Sequence, residues 1–305
     1  MAQWGSALDG MFGRAGQVVQ RFARPLRDGL ILVGVLRAVW YYVVQGIWPW
    51  TFIGIDARAY WGVNLAHPYA ASGVGDASTY LYSPAFAQIT APLSLLPYPV
   101  FLALWTAVLA AVFVWLVRPW PWAALILALP VSYELFVGNI HFLLAAALVV
   151  GLDWPIVLPL GVLTKITPGM AMGWHLVRRD WHRLAVGLGF TALLSVASYL
   201  VAPSAWSDWF AFLAASPGRS ELLAPRVAIG CALVVIGALS GRRWLVPVAV
   251  WLSLPVVWVN SWVILLAVVR LRTPVAPVMI LGVSGNGRSR GAAALGGPQD
   301  LAGNA

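Results

Sequence analysis

Long apolar runs, separated by short segments that carry most of the charges, dominate this sequence. Residues 29–47, 99–117, 184–202 and 222–240 are each about as long as the ~20 residues that cross a bilayer as an α-helix. Charged residues make up 10% of the chain, whereas soluble domains average about 25%. A bilayer accepts that much apolar surface and a small water-soluble core does not. We therefore expect an all-α polytopic membrane protein.

Shorter apolar runs bring the expected total to about ten transmembrane helices, some of them short or broken; these runs are 120–133, 138–152, 154–164, 166–177, 244–258 and 260–271. A long outer loop with interfacial helices is expected after the first span. We predict three regions: a cytoplasmic basic segment (1–28), a transmembrane domain (29–283) and a disordered Gly- and Ala-rich tail (284–305).

The net charge of +9 would suggest a nucleic-acid partner in a soluble protein. Here the arginines cluster between apolar runs, which is typical of membrane topology, so no nucleic acid is expected. With the N-terminus inside, the inner loops receive more basic residues than the outer loops. The basic residues of the inner loops are Arg118, Arg178, Arg179, Arg183, Arg242, Arg243, Arg270 and Arg272. The composition is typical of a GC-rich bacterial genome. We predict a multi-pass protein of a bacterial plasma membrane.

The same alternation places a mixed-sign group of side chains on the outer face, namely Asp56, Asp76, Glu134, His141, Lys165, Asp208 and Glu221. Ionisable groups at membrane depth are costly and usually face a cavity. Asp56, just beyond the first span, is a candidate general base for an acceptor hydroxyl, because a partly dry setting would raise its pKa. The alternative is an ion pair with Arg58 or a helix cap.

Lys165, the only lysine, lies where two short apolar runs meet at Pro168. Proline breaks a helix, and half-helices that meet at a polar break usually line a cavity. Lys165 is a candidate phosphate ligand, or else a lysine that snorkels to the interface.

Other polar and aromatic residues are candidate contacts to a sugar. Asn139 and His141 lie at an outer turn with Glu134 nearby, although Asn139 could also cap a helix and His141 could snorkel. Tyr60 and Tyr82 flank the long outer loop, where an aromatic interfacial belt is the alternative to a sugar- or lipid-contacting platform.

Motifs for several common chemistries are absent from the sequence. It has no Walker A loop, no Rossmann glycine fingerprint, no Asp-x-Asp, no His-Glu-x-x-His and no serine hydrolase elbow. Cys231 is the only cysteine, which excludes a disulfide framework and a cysteine-based zinc site. These absences argue against a soluble nucleotide donor.

Several segments together resemble glycosyltransferase family 87. They are Asp56-Ala57-Arg58-Ala59-Tyr60, Tyr82-Ser83-Pro84, Gly138-Asn139-Ile140-His141, and Thr164-Lys165-Ile166-Thr167-Pro168 followed by the basic loop 178–183. The resemblance covers roughly residues 30–215. It implies a GT-C-like membrane fold and transfer of a sugar, mannose or in some members arabinose, from a polyprenyl-phosphate donor to a glycolipid or polysaccharide acceptor on the outer face.

Carried over by this resemblance, Asp56 would be the base, and Lys165 and Arg58 would contact the donor phosphate. No nucleotide, cofactor or obligatory metal is implied, and membrane lipids are the expected surroundings. Two other functions stay open. The broken pair 154–177 is also typical of a transporter such as a lipid-linked sugar flippase, and a non-catalytic partner of a larger transferase is the third hypothesis.

Overall fold

The computed structural model describes residues 53–69, 79–215 and 222–272, together with four isolated positions between 27 and 34. These residues form α-helices and 3₁₀-helices, and none of them lies in a strand. The prediction of an all-α protein is confirmed for this part of the chain. Nearly all of the predicted basic segment (1–28), the whole tail (284–305), and Asp76 and Glu221 lie outside the described residues.

Thirteen α-helices follow one another in the described ranges: α1 (Ile55–Trp61), α2 (Pro84–Thr90), α3 (Tyr98–Val117), α4 (Trp122–Ile126), α5 (Ala128–Val137), α6 (His141–Gly151), α7 (Leu158–Lys165), α8 (Met172–Val177), α9 (Trp181–Val201), α10 (Pro203–Ala215), α11 (Leu223–Ser240), α12 (Leu245–Leu252) and α13 (Ala267–Arg270). Four 3₁₀ segments connect them: Ala91–Leu95, Pro155–Val157, Thr167–Ala171 and Val259–Leu266.

Three helices are long and apolar enough to cross a membrane: α3 with 20 residues, α9 with 21 and α11 with 18. Helices α5 and α6 meet at an angle of 110° and form a fourth span if they are counted together. Two shorter apolar helical stretches are Pro155–Lys165 and Val259–Arg270. The expected count of about ten spans is therefore not confirmed in the described part of the chain.

Helix α9 shows what surrounds the protein. Its side chains Leu193, Val196, Leu200 and Val201 are each more than half exposed, up to 75% for Val201. Contiguous apolar surface of this kind is unfavourable in water and normal against lipid tails. The exposed side of α9 is accordingly a lipid-facing surface.

The bend between α5 and α6 depends on Gly138. Its φ of 69° is left-handed, and a side chain there would be strained. A Cβ at Gly138 would also lie 2.8 Å from the Cβ of Ala57. The Trp105 indole donates a hydrogen bond to the Gly138 carbonyl at 2.8 Å. The bend therefore allows α1 to pack directly against the junction of α5 and α6.

A second break follows Lys165, as the sequence predicts. Helix α7 ends at Lys165, and Ile166 adopts φ 50° and ψ −52°, which is rare for a β-branched residue. The chain then continues as the 3₁₀ segment Thr167–Ala171. Pro168 in this segment packs closely against Gly161 of α7, where an added Cβ would lie only 2.7 Å from the proline ring. The two breaks end α5 and α7 near each other and bring polar side chains together inside the helical body.

Candidate functional site

Asp56 and Asn139 form the hydrogen bond that joins α1 to the bend. The Asn139 amide nitrogen donates to Asp56 Oδ2 at 2.6 Å, while Asn139 Oδ1 accepts from the backbone N–H of Ile140 at 2.7 Å. The second contact fixes the amide orientation, since only the nitrogen end is left to face Asp56. Residues 83 positions apart in sequence are thus held as one unit.

The Asp56 carboxyl is partly buried, and its surroundings shift its acidity. Burial raises the pKa of Asp56 above its usual value, and the nearby Glu134 carboxylate adds to that shift. The hydrogen bond from Asn139 and the positive charge of Lys165 act in the opposite direction. A carboxylate with a raised pKa is a stronger base than an exposed one. The direction of this shift is the one that the predicted role of Asp56 as a general base needs.

Glu134, His141 and Lys165 form a second polar line. Glu134 accepts from the His141 backbone N–H at 2.5 Å and lies 3.0 Å from His141 Nδ1. On the other side of the ring, His141 Nε2 lies 2.8 Å from the Lys165 ammonium nitrogen. Glu134 and His141 are fully buried, and they come from α5 and α6, the two arms of the bend.

Tyr60 and Tyr82 pack beside this group. Their hydroxyl oxygens are 2.9 Å apart, their rings are 5.3 Å apart, and both side chains are buried. The Tyr82 hydroxyl also lies close to the Asn139 side chain. Tyr69 donates to the Tyr82 carbonyl at 2.7 Å. The tyrosines therefore connect the outer loop to the Asp56–Asn139 pair.

A cavity of about 430 Å³ opens next to Lys165. Its polar wall comes from the second break and from Tyr82, and the remaining wall is mostly apolar; the lining residues are Leu81, Tyr82, Thr164, Lys165, Ile166, Thr167, Trp209, Phe212, Leu213, Leu223, Leu254, Pro255, Val256 and Trp258. Cavities of this size commonly hold small molecules or parts of larger ones. The prediction that the broken pair lines a cavity is confirmed.

Seven of the eight candidate site residues predicted from the sequence lie in this connected group, and Arg58 does not. The Arg58 side chain is exposed and its guanidinium stacks over the Tyr98 ring, 4.4 Å from the ring centre. Asp208, another outer-face candidate, is an exposed residue of α10. The structure shows where these residues lie, and the catalytic and binding roles assigned to them from the sequence stay predictions.

Two residues of the group were missed from the sequence. The Asn260 side chain lies beside the Glu134 carboxyl, and Ser261 Oγ lies 3.4 Å from His141 Nε2. Both are buried in the 3₁₀ segment Val259–Leu266. The sequence feature that could have indicated them is the polar pair Asn260-Ser261, because it stands in an otherwise apolar run.

A different set of charges lies away from the site. Arg243 pairs with Asp153 at 2.7 Å, and Asp180 pairs with Arg183 at 3.2 Å. His175 of α8 lies 4.0 Å from Asp180. The sequence predicts that these segments face inside, and that orientation stays a prediction.

The chain matches the family model of Glycosyltransferase family 87 over residues 80–284. This match covers about two thirds of the chain, extends further toward the C-terminus than the resemblance expected from the motifs, and begins after Asp56. No curated protein matches, and no solved structure matches. The position of Asp56 in the site therefore rests on its contacts and not on the matched region.

Proposed function

Because the chain belongs to glycosyltransferase family 87, we propose that it transfers a sugar, mannose in the first instance, from a polyprenyl-phosphate donor to a glycolipid or glycan acceptor. The membership and the lipid-facing helices support a membrane glycosyltransferase. The donor class, the sugar and the acceptor are the proposed part.

The observation that carries the donor class is that Lys165 lines a largely apolar cavity. A cation is a suitable ligand for a phosphate, and Trp209, Leu254 and Trp258 offer the apolar surface that the first isoprene units require. A nucleotide would instead need hydrogen-bonding partners for its base and ribose, and few polar side chains line this cavity. The lining therefore favours a lipid-linked phosphate.

The proposed reaction is a single displacement. The Asp56 carboxylate accepts the proton of an acceptor hydroxyl, and the hydroxyl oxygen attacks the anomeric carbon of the donor sugar. The bond between that carbon and the phosphate oxygen breaks, and polyprenyl phosphate leaves with the electron pair. The Lys165 ammonium stabilises the charge that develops on the leaving phosphate.

We further propose that the site faces the outside of a bacterial plasma membrane. The excess of arginine in the alternate loops supports this orientation. A lipid-linked donor also suits that side, where nucleotide sugars of the cytoplasm are out of reach.

The test of the base is Asp56→Asn, with Asp208→Asn as the matched control. Both variants remove one carboxylate, but Asp208 is exposed and outside the connected group. Transfer from polyprenyl-phosphate mannose should fall by about 10²- to 10⁴-fold in Asp56→Asn, the usual contribution of a general base, and stay near wild type in Asp208→Asn. Both proteins should insert into membranes to the same level.

Full activity of Asp56→Asn would remove Asp56 as the base. A purified protein that moves the lipid-linked sugar across liposomes without forming a glycosidic product would instead support the transporter hypothesis, which the broken helices motivate.

A further inference from the structure

Lys165 is the one charged residue among those that line the cavity, and its long side chain would be mobile if nothing held it. A lysine side chain loses up to about 2 kcal/mol of rotamer entropy when it is fixed. Among the described residues, the contact of 2.8 Å to His141 Nε2 is the hydrogen bond that the Lys165 ammonium makes. The imidazole is therefore the group that sets where the ammonium points.

The hydrogen bonds assign the proton positions along the line. The Lys165 ammonium has only N–H donors, so His141 Nε2 must accept, and the proton of the neutral ring then lies on Nδ1, which donates to Glu134 Oε2. The other ring nitrogen, Nε2, then has a free lone pair and accepts from the Lys165 ammonium. One of the three N–H groups of Lys165 is used in this way, and two remain for a ligand in the cavity.

Glu134 makes the ring rigid. It binds both the backbone N–H and the ring of His141, and the carboxyl itself is fully buried. His141 is fully buried, so it has no direct contact with the cavity, and it does not appear in the cavity wall. The same logic applies to metal-bound histidines, whose second nitrogen is fixed by a carboxylate behind them.

We infer that Glu134 and His141 are positioning residues, not sugar contacts, and that they aim the Lys165 ammonium at the phosphate of the lipid donor. This inference rests on the proposed function for the identity of that donor. It changes the roles expected from the sequence, where Glu134 and His141 were candidate sugar ligands.

Two substitutions of His141 separate the two ring contacts. The amide of Asn overlays the Nδ1 edge of histidine, so His141→Asn keeps a donor for Glu134 and leaves Lys165 without its acceptor. The amide of Gln reaches the Nε2 position, so His141→Gln keeps a carbonyl acceptor for Lys165. The matched control is His175→Asn, which changes another buried histidine that lies among the inner-face charges.

In transfer assays, His141→Asn should lower kcat by about 10- to 100-fold, because a misplaced catalytic group commonly costs that much, with the KM for the acceptor unchanged. His141→Gln should recover most of the rate, and His175→Asn should match wild type. Equal losses in His141→Asn and His141→Gln, or a raised acceptor KM in both, would overturn the positioning role.

A binding measurement separates this inference from the proposed function. Isothermal titration of the detergent-solubilised protein with farnesyl phosphate, compared with farnesol, reports the phosphate contact without any transfer. His141→Asn should lose the preference for the phosphate, as Lys165→Ala does, while His141→Gln keeps it. If this pattern appears without sugar transfer, the proposed function fails and the inference stands. If wild type shows no preference for farnesyl phosphate, the inference fails.

Discussion

Removing the Asn139 amide should shift the pH dependence of transfer. In the structure Asn139 donates to Asp56 at 2.6 Å and so lowers the pKa of that carboxyl, against the larger effect of burial, which raises it. A hydrogen bond to a charged group contributes about 1.5–3 kcal/mol, and one pKa unit corresponds to about 1.4 kcal/mol. Asn139→Ala should therefore raise the pKa of Asp56 further, by about 1–2 units.

The sign of the effect on activity follows from the role of the base. Asp56 must be deprotonated to accept a proton, so the rate falls as pH drops through its pKa. In Asn139→Ala the acidic limb of the kcat profile should move to higher pH by the same 1–2 units, roughly, and the rate at high pH should return toward wild type. Asn139→Asp should shift the limb still further, because two adjacent carboxylates resist ionising together.

The assay is transfer of labelled mannose from polyprenyl-phosphate mannose in liposomes, measured across pH, with the unfolding temperature checked for each variant. The reasoning is refuted if the acidic limb of Asn139→Ala coincides with that of wild type. A rate that is lowered equally at every pH would also refute it, since that result would indicate a loss of geometry and not a change in acidity.

Two further predictions concern the bend and the orientation. Gly138→Ala should destabilise the protein by about 1–3 kcal/mol, because the backbone there has a left-handed φ and the new Cβ would lie 2.8 Å from the Cβ of Ala57. Thermal unfolding should show this loss. The control Gly189→Ala should be neutral or slightly stabilising, because a Cβ at Gly189 would have no atom within 4 Å. In a variant without the native cysteine, an impermeant maleimide applied to intact cells should label Ser94→Cys and leave Arg179→Cys unlabelled, since both positions are exposed but belong to opposite predicted faces. The opposite labelling pattern would reverse the proposed orientation.

Individual residues show how far the sequence could predict the site. The presence of Asp56 and Lys165 in a group of polar side chains was predictable, because isolated charges in an apolar sequence are costly and need partners. The break after Lys165 was predictable from Pro168, which cannot continue a helix. The hydropathy pattern alone supplied the all-α membrane class.

Other features depend on tertiary contacts that no local pattern encodes. Runs 120–133 and 138–152 read as two spans, yet the structure bends at Gly138 by 110° between α5 and α6. Helix α10 was not expected as a separate element, because hydropathy does not distinguish a helix that crosses from one that packs beside the site. The sequence placed Glu134 near His141 at the turn, but it did not predict the contact between their side chains or the position of Asn260 beside Glu134, which follow from that bend.

The most direct test of the central claim compares donors. Purified protein in liposomes is supplied with labelled polyprenyl-phosphate mannose or labelled nucleotide-linked mannose, together with glycolipids extracted from the cells that naturally make the protein. The proposed function predicts that label moves from the lipid phosphate to the glycolipid, with release of polyprenyl phosphate and without any added nucleotide. Transfer only from the nucleotide-linked donor would contradict it.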